Sequence, residues 1–445
     1  MPRILLAAHG FPPRENAGTE QYTARLARAL RSRGWDVWVL AATQSPGEAM
    51  YTTRAEGLPD GVHLVRVIHN APYAGRRTGG ADAAIDTLFR RLCAEVRPDL
   101  IHLQHVASLS TTLPLSVPTV WTLHDAWGWC PAGGLLLRQD VDPVTPCLGP
   151  GPACPACASH SSRDGLPVAA ALQLAGRLST VIPAVRLHAA WKQLPSPVRE
   201  RIHRVPAAPV TEVHAASWRQ AHLSLARRCH TLISPSRWLA DEAVKAGFPP
   251  AVILPHGVDA EGLPEPLASP ARPFVFLGTI APHKGPDLVQ AAWRLSGVPH
   301  PLHVYGPAGA DVAWASRVGG RGPLAAERVP AVLADAQALV LGSRWPENAP
   351  LVVLEARAVG CPVIAPSLGG LPELVTPGRD GWIYPPGDVA ALAAALVAAA
   401  AHRIVPTPPP TLAAHIDALQ DVYDHALGPA PGPRGGTSRS ECSDE

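Results

Sequence analysis

The chain has little lysine, no long hydrophobic run and no strong net charge. Only three of its 445 residues are lysines (Lys192, Lys245 and Lys284), although arginine is abundant, and we attribute this bias to a GC-rich genome. A lysine retained in a glycine-flanked loop, as Lys284 is, is therefore more informative than an ordinary arginine. The formal net charge of +2 argues against a general nucleic-acid-binding protein.

The longest apolar run is also too short for a membrane-spanning helix. It covers Val389–Ala401, whereas a span needs roughly 18–20 apolar residues. No secretory signal is visible, because residues 3–8 are too few and have the pattern of a first β-strand. We therefore expect a cytoplasmic protein whose cysteines are reduced or metal-bound. The Pro-, Gly- and Ser-rich residues 428–445 are typical of a disordered tail.

Two successive strand–helix series predict an α/β protein with two parallel-sheet domains. The first domain, residues 1–262, opens with a βαβ unit: a strand at 4–8, a helix at 20–33 and a strand from 37. A Pro-, Ala- and Glu-rich linker near 262–272 separates it from the second domain, residues 272–410. Further strands are predicted at 62–67, 100–103, 119–123, 231–234, 252–254, 274–277, 302–305, 338–341 and 362–365. A helix at 411–427 ends the series with no strand after it.

Two carboxylates stand eight positions apart at a predicted loop-to-helix junction. Glu347 lies in the loop, and Glu355 lies about one turn inside a helix that is predicted to begin at Leu351. A helix N-terminus suits anionic or hydroxyl-rich ligands, and two acceptor-only carboxylates suit a polyol such as ribose or a hexose. The plainer alternative is a carboxylate at the helix N-terminus beside an unrelated surface glutamate.

The segment 342–381 resembles the donor site of family-4 glycosyltransferases, which are retaining enzymes of the GT-B fold. That family has a Glu-x7-Glu pattern followed by a helix, a short strand and a Gly-Gly loop, matched here by Glu347, Glu355 and Gly369-Gly370. The resemblance extends from near residue 3 to about residue 426. It implies two Rossmann-like domains that face each other across a cleft, with the helix 411–427 crossing back to the N-terminal domain.

The resemblance also implies roles for individual residues. Glu347 is expected near the donor sugar and the scissile bond, Glu355 on the ribose hydroxyls, and Lys284 on the donor diphosphate. The backbone N–H groups of Asn348 and Ala349 are expected to face the sugar or the phosphate. Five loop residues complete the expected donor-binding set: Gly18, Gly278, Thr279, Gly369 and Gly370.

Several positions depart from the family pattern. Thr279 stands where most members have an arginine, and Ala17 replaces one glycine of the usual pair in the first loop. One cation fewer either weakens the grip on the diphosphate or moves the charge to another residue, such as His283 or Arg344. Asn348-Ala349 stands where Gly-Phe is commoner, so the sequence leaves the donor sugar and base open.

A His-Asp pair follows the predicted strand 119–123. The carboxyl ends of parallel strands are where ligands bind in open α/β sheets. The resemblance places His124 near the sugar hydroxyls, and we group it with Glu347 as catalytic. Asp125 is expected either to fix the tautomer of His124 or to face the acceptor. A histidine of this kind is otherwise an ordinary core residue with its hydrogen bonds satisfied.

Four cysteines follow within the loop 130–157. Cys130, Cys147, Cys154 and Cys157 include a CxxC in a Gly/Pro-rich stretch, which fits a small tetrahedral zinc site. Their spacing matches no standard zinc finger, so reduced thiols and an iron–sulfur cluster remain alternatives. A metal here would brace the acceptor side of the cleft and take no part in the chemistry.

A basic helical segment occupies residues 177–228. It holds nine Arg or Lys residues against two acids, a local charge of +7 that leaves −5 for the rest of the chain. Either its arginine stems pack against apolar neighbours, or the segment contacts anionic lipid headgroups or a lipid-phosphate acceptor. The expected location is therefore the cytoplasm, with peripheral membrane contact in the second case.

Taken together, these features predict a retaining glycosyltransferase that moves a sugar from a nucleoside-diphosphate donor to an acceptor hydroxyl. No Asp-x-Asp motif follows a predicted strand, and the resemblance implies that catalysis needs no metal or other cofactor. The expected acceptor is a carbohydrate or a lipid-linked glycan in bacterial polysaccharide or glycoconjugate synthesis. An epimerase or phosphorylase of the same fold and a catalytically silent sugar-nucleotide-binding protein are the alternatives.

Overall fold

The computed structural model describes most of the chain. The described residues are 1–45, 48–70, 79–138, 141, 145–147, 149–161, 210–259, 262–264, 272–309 and 312–428. Most of the predicted linker, residues 177–209 of the basic segment, and nearly all of the predicted tail lie outside these ranges. The predicted boundaries at 262 and 272, the lipid contact and the disordered tail therefore stay predictions.

The first sheet has eight strands. They are β1 (Arg3–Ala8), β2 (Asp36–Thr43), β3 (Thr53–Gly57), β4 (His63–Ile68), β5 (Leu100–Leu103), β6 (Thr119–Thr122), β9 (Thr231–Ser234) and β10 (Ala251–Ile253), with the short antiparallel hairpin β7 (Leu137–Arg138) and β8 (Thr145–Pro146) outside the sheet. The spatial order is β10-β9-β6-β5-β1-β2-β4-β3, and every pairing is parallel except that of β3 with β4. The central strands are nearly free of charge and buried, as a sheet covered on both faces requires.

Five helices lie in the described residues of the same half of the chain. They are α1 (Gly18–Ser32), α2 (Ala83–Val96), α3 (Cys154–Ser161), α4 (Glu212–Arg228) and α5 (Arg237–Lys245). Asp82 caps α2 by accepting hydrogen bonds from the backbone N–H groups of Ala84 and Ile85. The buried face of α1 carries Leu26 and Leu30 onto the sheet, so an amphipathic pattern in the sequence fixes which side of the helix meets the core.

The second sheet has five strands, all parallel. They are β11 (Phe274–Leu277), β12 (Leu302–Tyr305), β13 (Ala338–Val340), β14 (Val363–Pro366) and β15 (Gly381–Tyr384), in the spatial order β12-β11-β13-β14-β15. The helices are α6 (Pro286–Ser296), α7 (Val312–Val318), α8 (Val329–Ala334), α9 (Leu351–Ala358), α10 (Leu371–Leu374) and α11 (Val389–Ala401), with 3₁₀ turns at Pro282–Lys284 and Ala326–Arg328. The predicted α/β architecture with two Rossmann-like domains is confirmed.

Both sheets reverse their strand order at one point, and such a reversal indicates where a ligand is expected to bind. In the first sheet the chain moves outward from β1 through β2 and then returns to the other side of β1 with β5. In the second sheet it moves from β11 to β12 and returns beside β11 with β13. The crevice outside the carboxyl ends of the two diverging strands is the usual ligand site of such sheets. The loops after β1, β5, β11 and β13 are therefore the first place to look for function.

The last helix, α12 (Leu412–Leu427), packs on the N-terminal domain, as predicted. Ile416 and Leu419 are fully buried within the core of that domain. Two buried hydrogen bonds anchor the helix: His415 Nε2 lies 2.8 Å from the Tyr22 hydroxyl, and His102 Nδ1 lies 2.7 Å from the Tyr423 hydroxyl. The final helix thus completes the core of the first domain.

The histidines around this contact are held in the neutral form. Burial, together with the nearby His415, lowers the pKa of His102 to about 3 and that of His256 to about 3. The His256 ring packs against that of Tyr22 in a tilted arrangement, with ring centroids 4.2 Å apart. Charging either imidazole would place a cation in a site with no solvent around it.

We predict that stability falls in acid for this reason. The unfolded histidines have pKa values near 6.5 and the folded ones near 3, so between these pH values the unfolded chain binds more protons. The stabilisation is full above pH 6.5 and declines as the pH falls towards 3, by up to about 1.4 kcal/mol per pH unit for each histidine. Urea denaturation across this range measures the slope.

The matched control is His402→Gln, which removes a histidine that is exposed in the folded protein. A free energy of unfolding that stays constant through the acidic range would contradict the assignment of neutral, buried histidines.

Within the described ranges we also find no helix long and apolar enough to cross a membrane.

Candidate active site

Glu347 is a buried polar side chain at the crevice of the second sheet. It is 5% exposed, and its Oε1 accepts three hydrogen bonds. The donors are Lys284 Nζ at 2.7 Å, Ser343 Oγ at 2.8 Å and Trp345 Nε1 at 2.9 Å. The Lys284 ammonium also lies 4.6 Å from the centre of the Trp345 ring. The loops after β11 and β13 therefore meet through a charge-assisted hydrogen bond.

Glycine backbones allow these loops to approach each other. Gly285 has a φ of +64°, and a Cβ on it would lie 1.9 Å from the carbonyl oxygen of Gly342. A Cβ on Gly369, whose φ is +65°, would lie 2.2 Å from the carbonyl oxygen of Glu347. The N–H of Gly370 donates to that same carbonyl at 2.7 Å. The Gly-Gly loop predicted to bind the donor thus supports the Glu347 backbone directly.

The remaining predicted loop residues lie around this crevice or opposite it. Gly278 and Thr279 follow β11, where the Gly278 backbone meets that of Gly306. Ala349 packs against the apolar core of the second domain, just before α9. Gly18 is exposed as the first residue of α1 in the first domain.

Neither residue named as a substitute for the arginine missing at Thr279 is a free cation. Arg344 makes two 2.8 Å hydrogen bonds to the carboxylate of Asp287 and a third to the carbonyl of Pro282. Burial and the adjacent Lys284 ammonium lower the pKa of His283 to about 4, so that imidazole is neutral at physiological pH. Of these three residues, Lys284 is the cation held by one hydrogen bond, to Glu347, and it therefore has N–H donors left for a ligand.

Glu355 lies on α9 and reaches across to the first domain. Its Oε1 accepts a hydrogen bond from Arg25 Nη2 of α1 at 2.5 Å. A cavity of about 660 Å³ opens between the domains beside this pair. Arg28, Arg33 and Asp259 of the first domain also line it, so they share its wall with Glu355 of the second domain.

His124 stands just beyond the carboxyl end of β6, and its backbone carbonyl accepts a hydrogen bond from Asn348 of the second domain. Its Nε2 lies 3.0 Å from Gln104 Oε1, and its ring stacks on His256 with centroids 5.5 Å apart. Burial and the nearby His256 lower the pKa of His124 well below its usual range. It is therefore a neutral hydrogen-bonding group.

Asp125 does not hold His124, and that part of the expectation is wrong. Asp125 Oδ2 lies 3.3 Å from His105 Nε2, and its Oδ1 accepts the backbone N–H of Trp127 at 2.8 Å. The Nδ1 of His105 accepts the N–H of Ala107, so the proton of the neutral ring is on Nε2 and points to Asp125. The cause is the neighbouring strand, since β5 ends beside β6. The residues after β5 therefore become the partners, Gln104 of His124 and His105 of Asp125.

Asn348 and Glu373 connect the two domains. Asn348 Oδ1 accepts the Ser236 hydroxyl at 2.5 Å, and Asn348 Nδ2 donates to the carbonyl of His124 at 2.9 Å. The Glu373 carboxylate accepts the N–H groups of Arg237 at 2.9 Å and Trp238 at 2.7 Å. A carboxylate of one domain thus caps helix α5 of the other.

The four cysteines of the loop 130–157 surround one cavity of about 30 Å³. No disulfide joins any two of them, and Cys130 and Cys157 are buried in the core of the first domain. Burial raises the pKa of the Cys130 thiol to about 12. Within the described residues, no three His, Cys, Asp or Glu side chains are already arranged to hold a metal ion.

Several partners at this site were not identified from the sequence. Gln104 and His105 directly follow β5. Because ligands bind at the carboxyl ends of parallel strands, the argument made for His124 also applies to these two residues. Ser343 and Trp345 flank Glu347, but nothing local marks them as its hydrogen-bond donors. Arg25 lies more than three hundred residues from Glu355, and no local pattern reveals that contact.

Comparison with known sequences agrees with this geometry. Residues 17–141 match the family described as "Glycosyltransferase Family 4", and residues 271–402 match the one described as "Glycosyl transferases group 1". The two matches lie on the two domains that form the cleft. This chain is a family-4 glycosyltransferase.

Two curated relatives illustrate the range of this family. The glycosyltransferase is 39% identical over 133 residues to D-inositol 3-phosphate glycosyltransferase of Mycobacteroides abscessus, a match that covers 27% of this chain and 30% of that protein. It is 28% identical over 418 residues to glycogen synthase of Mycobacterium tuberculosis, which covers 88% of this chain and 85% of the relative. The chain thus spans less than a third of the first relative and most of the second.

Solved structures share the fold of this glycosyltransferase. Sucrose-phosphate synthase of Thermosynechococcus elongatus superposes with a TM-score of 0.62 at 16% identity, over 96% of this chain and 99% of that one. Anabaena HepE, solved in complex with UDP and glucose, has a TM-score of 0.54 at 15% identity, over 96% and 100% of the two chains. The fold is therefore GT-B.

We predict that Glu373→Ala loosens the contact between the domains. Removing the carboxylate leaves the N–H groups of Arg237 and Trp238 without their caps, so hydrogen exchange in the first turn of α5 should rise about fivefold, equivalent to about 1 kcal/mol. Exchange should also rise around Asn348, because both contacts hold the same side of the cleft.

The control is Asp388→Ala, which removes an N-cap of α11 within a single domain. Its effect should remain in α11. Equal, purely local effects of the two substitutions would show that Glu373 does not contribute to holding the domains together.

Proposed function

We propose that this glycosyltransferase binds a nucleoside-diphosphate sugar across the cleft and transfers the sugar, with retention of configuration, to an acceptor hydroxyl. The observation that carries the proposal is the ion pair of Lys284 and Glu347 at the strand-order reversal, together with an interdomain cavity whose wall includes Glu355, eight residues further along the chain. One cation and two carboxylates in this part of the chain match the anionic and hydroxyl-bearing parts of such a donor.

The cavity beside Glu355 supports the nucleoside end of the proposal. Its volume of about 660 Å³ falls within the range of roughly 300–1,000 Å³ typical of small-molecule sites. A carboxylate at its edge suits the vicinal hydroxyls of a ribose, which are hydrogen-bond donors. When the ribose binds, Arg25 either keeps its hydrogen bond to Glu355 alongside the ribose or loses it to the ribose.

Lys284 supports the diphosphate end. An ammonium group has three N–H donors, so the bond to Glu347 leaves two for phosphate oxygens. The positive charge would stabilise the diphosphate as negative charge develops on the leaving group, without a metal ion. The same phosphate would accept the proton of the attacking hydroxyl.

Glu347 and His124 would orient the sugar. Oε1 of Glu347 is fully engaged, and no described residue donates to its Oε2, so that oxygen is the acceptor we assign to a sugar hydroxyl. The neutral His124 would provide a second hydrogen bond from the opposite domain. Asp125, aligned by His105 and the Trp127 N–H, would face the acceptor.

For the acceptor we propose a carbohydrate chain, free or lipid-linked. Support comes from the match over 88% of this chain to glycogen synthase, whose name specifies a polysaccharide product. The Anabaena structure with UDP and glucose makes uridine donors the first to test, followed by those of guanosine and thymidine.

The donor site is tested by calorimetric titration of UDP-, GDP- and dTDP-sugars into the wild type, Lys284→Met and Glu355→Gln. We expect one donor to bind the wild type and each variant to lose about tenfold or more in affinity, as for a charged hydrogen bond of about 1.5–3 kcal/mol. Lys245→Met is the matched control, because that lysine is exposed and paired only with Glu242. Unchanged affinity in both site variants would overturn the assignment.

Retention is tested separately by NMR. The sugar first released in slow donor hydrolysis, or first joined to an acceptor, should have the same anomeric configuration as the donor. An inverted product would refute retention while leaving the donor site intact, because the calorimetric experiment reports binding alone.

A further inference from the structure

Four cysteines from three separate parts of the loop 130–157 line one cavity. Cys130 lies in the segment between β6 and β7. Cys147 directly follows β8, and Cys154 and Cys157 lie in the first turn of α3. The β7–β8 hairpin brings Cys147 back, since the N–H of Cys147 donates to the carbonyl of Leu136 at 2.7 Å. The convergence is thus a product of the fold, beyond the CxxC spacing alone.

We propose that Cys130, Cys147, Cys154 and Cys157 bind one structural zinc ion. Zinc in structural sites takes four ligands in a tetrahedron, and four thiolates are one of its commonest sets. The cavity of about 30 Å³ suits a single ion better than a cluster of several iron and sulfide atoms. The inference does not rest on the proposed donor chemistry, because the site lies within the first domain.

Backbone amides already point at two of these sulfurs. The N–H of Gly149 donates to Cys147 Sγ at 3.4 Å, and the N–H of Gly151 donates to Cys154 Sγ at 3.3 Å. Such donors stabilise a thiolate and are the outer contacts that orient metal ligands. They would persist with a metal bound, because the sulfur is the acceptor.

Two other sulfur contacts belong to the protonated thiols. The S–H of Cys147 donates to the carbonyl of Gly149, and the S–H of Cys157 donates to the carbonyl of Leu137, both at 3.3 Å. Zinc binding releases the four thiol protons, so these bonds would be exchanged for metal bonds. We therefore expect the sulfurs to turn from the carbonyls towards the ion, so that the four ligands close around it when it binds.

Charge balance is consistent with this assignment. Four thiolates around Zn²⁺ have a net charge of −2, which is costly to bury without a nearby cation. Arg138 lines the same cavity and supplies positive charge beside it.

The site would stiffen the loop that presents Asp125. The N–H of Cys130 donates to the carbonyl of Ala126 at 2.8 Å, and the N–H of Ala126 donates to the carbonyl of Gly134 at 3.2 Å. The Asp125 carboxyl packs against Gly134, where an added Cβ would lie 3.0 Å from it. Zinc would thus position Asp125 indirectly and take no part in sugar transfer.

The test begins with metal analysis of the full chain, purified without a polyhistidine tag from cells grown with both zinc and iron. We expect about one zinc ion per chain and no stoichiometric iron. Cys147→Ser and Cys154→Ser should lose the zinc, whereas Cys93→Ser, which removes a half-buried cysteine elsewhere in the same domain, should retain it.

A second measurement does not depend on the variants folding. Titration of the wild type with a mercurial reagent, in the presence of a zinc-sensitive dye, should release zinc in step with modification of four thiols. Wild-type protein without zinc, with iron in its place, or with a disulfide among these cysteines by mass spectrometry would overturn the proposal. Donor titration on the same samples reports separately on the cleft.

Discussion

The cleft side of the second domain depends on neutralising one buried carboxylate. Glu347 is almost without solvent, and an isolated ionised carboxylate in such a place costs far more than a typical domain can offset. Lys284, Ser343 and Trp345 together satisfy Oε1, and they require the loops after β11 and β13 to touch. The backbones of these two loops meet where Gly285 closely approaches Gly342.

The two domains are then joined by polar contacts of that same loop region. Asn348 follows Glu347 directly, so fixing the carboxylate also fixes the amide that reaches Ser236 and the His124 carbonyl. Glu373 adds a helix cap, and Arg25 adds an ion pair at the far side of the cavity. These polar contacts across the cleft are hydrogen bonds and charges, which a polar ligand can exchange at little cost, whereas α12 and Leu351 add apolar contacts with the core of the first domain. A cleft that must admit and release a charged donor benefits from an interface of this kind.

Much of the fold could be predicted from the sequence, because buried parallel strands are short apolar runs with clear ends. The strands at 100–103, 231–234, 274–277 and 302–305 have the predicted bounds, and α9 begins at Leu351 as expected. The missed strand β3 is exposed at all five positions and pairs only at the sheet edge, so it has no alternating apolar signal. The paired residues of the β7–β8 hairpin are too few for any periodicity.

The site was harder to predict where a partner comes from a distant segment. Glu347, Glu355 and Lys284 lie in local patterns, but the Arg25–Glu355 pair depends on how the two domains face each other. The partner of Asp125 was missed because strand order, which places β5 beside β6, cannot be read from residues 119–125 alone. The sequence predicts which side chains follow the strands. It does not predict which of these side chains form hydrogen bonds with each other.

The crossing helix α12 has a consequence for how the chain is made. Ile416, Leu419 and Tyr423 fill the core of a domain whose sheet is complete by Ile253, so a ribosome must add the whole second domain before the first can close its core. During that interval Tyr22, Trp35 and His102 lack their partners on α12, and the nascent N-terminal half exposes an apolar surface that chaperones can bind. Folding on the ribosome therefore finishes at the N-terminal domain, although that domain is synthesised first.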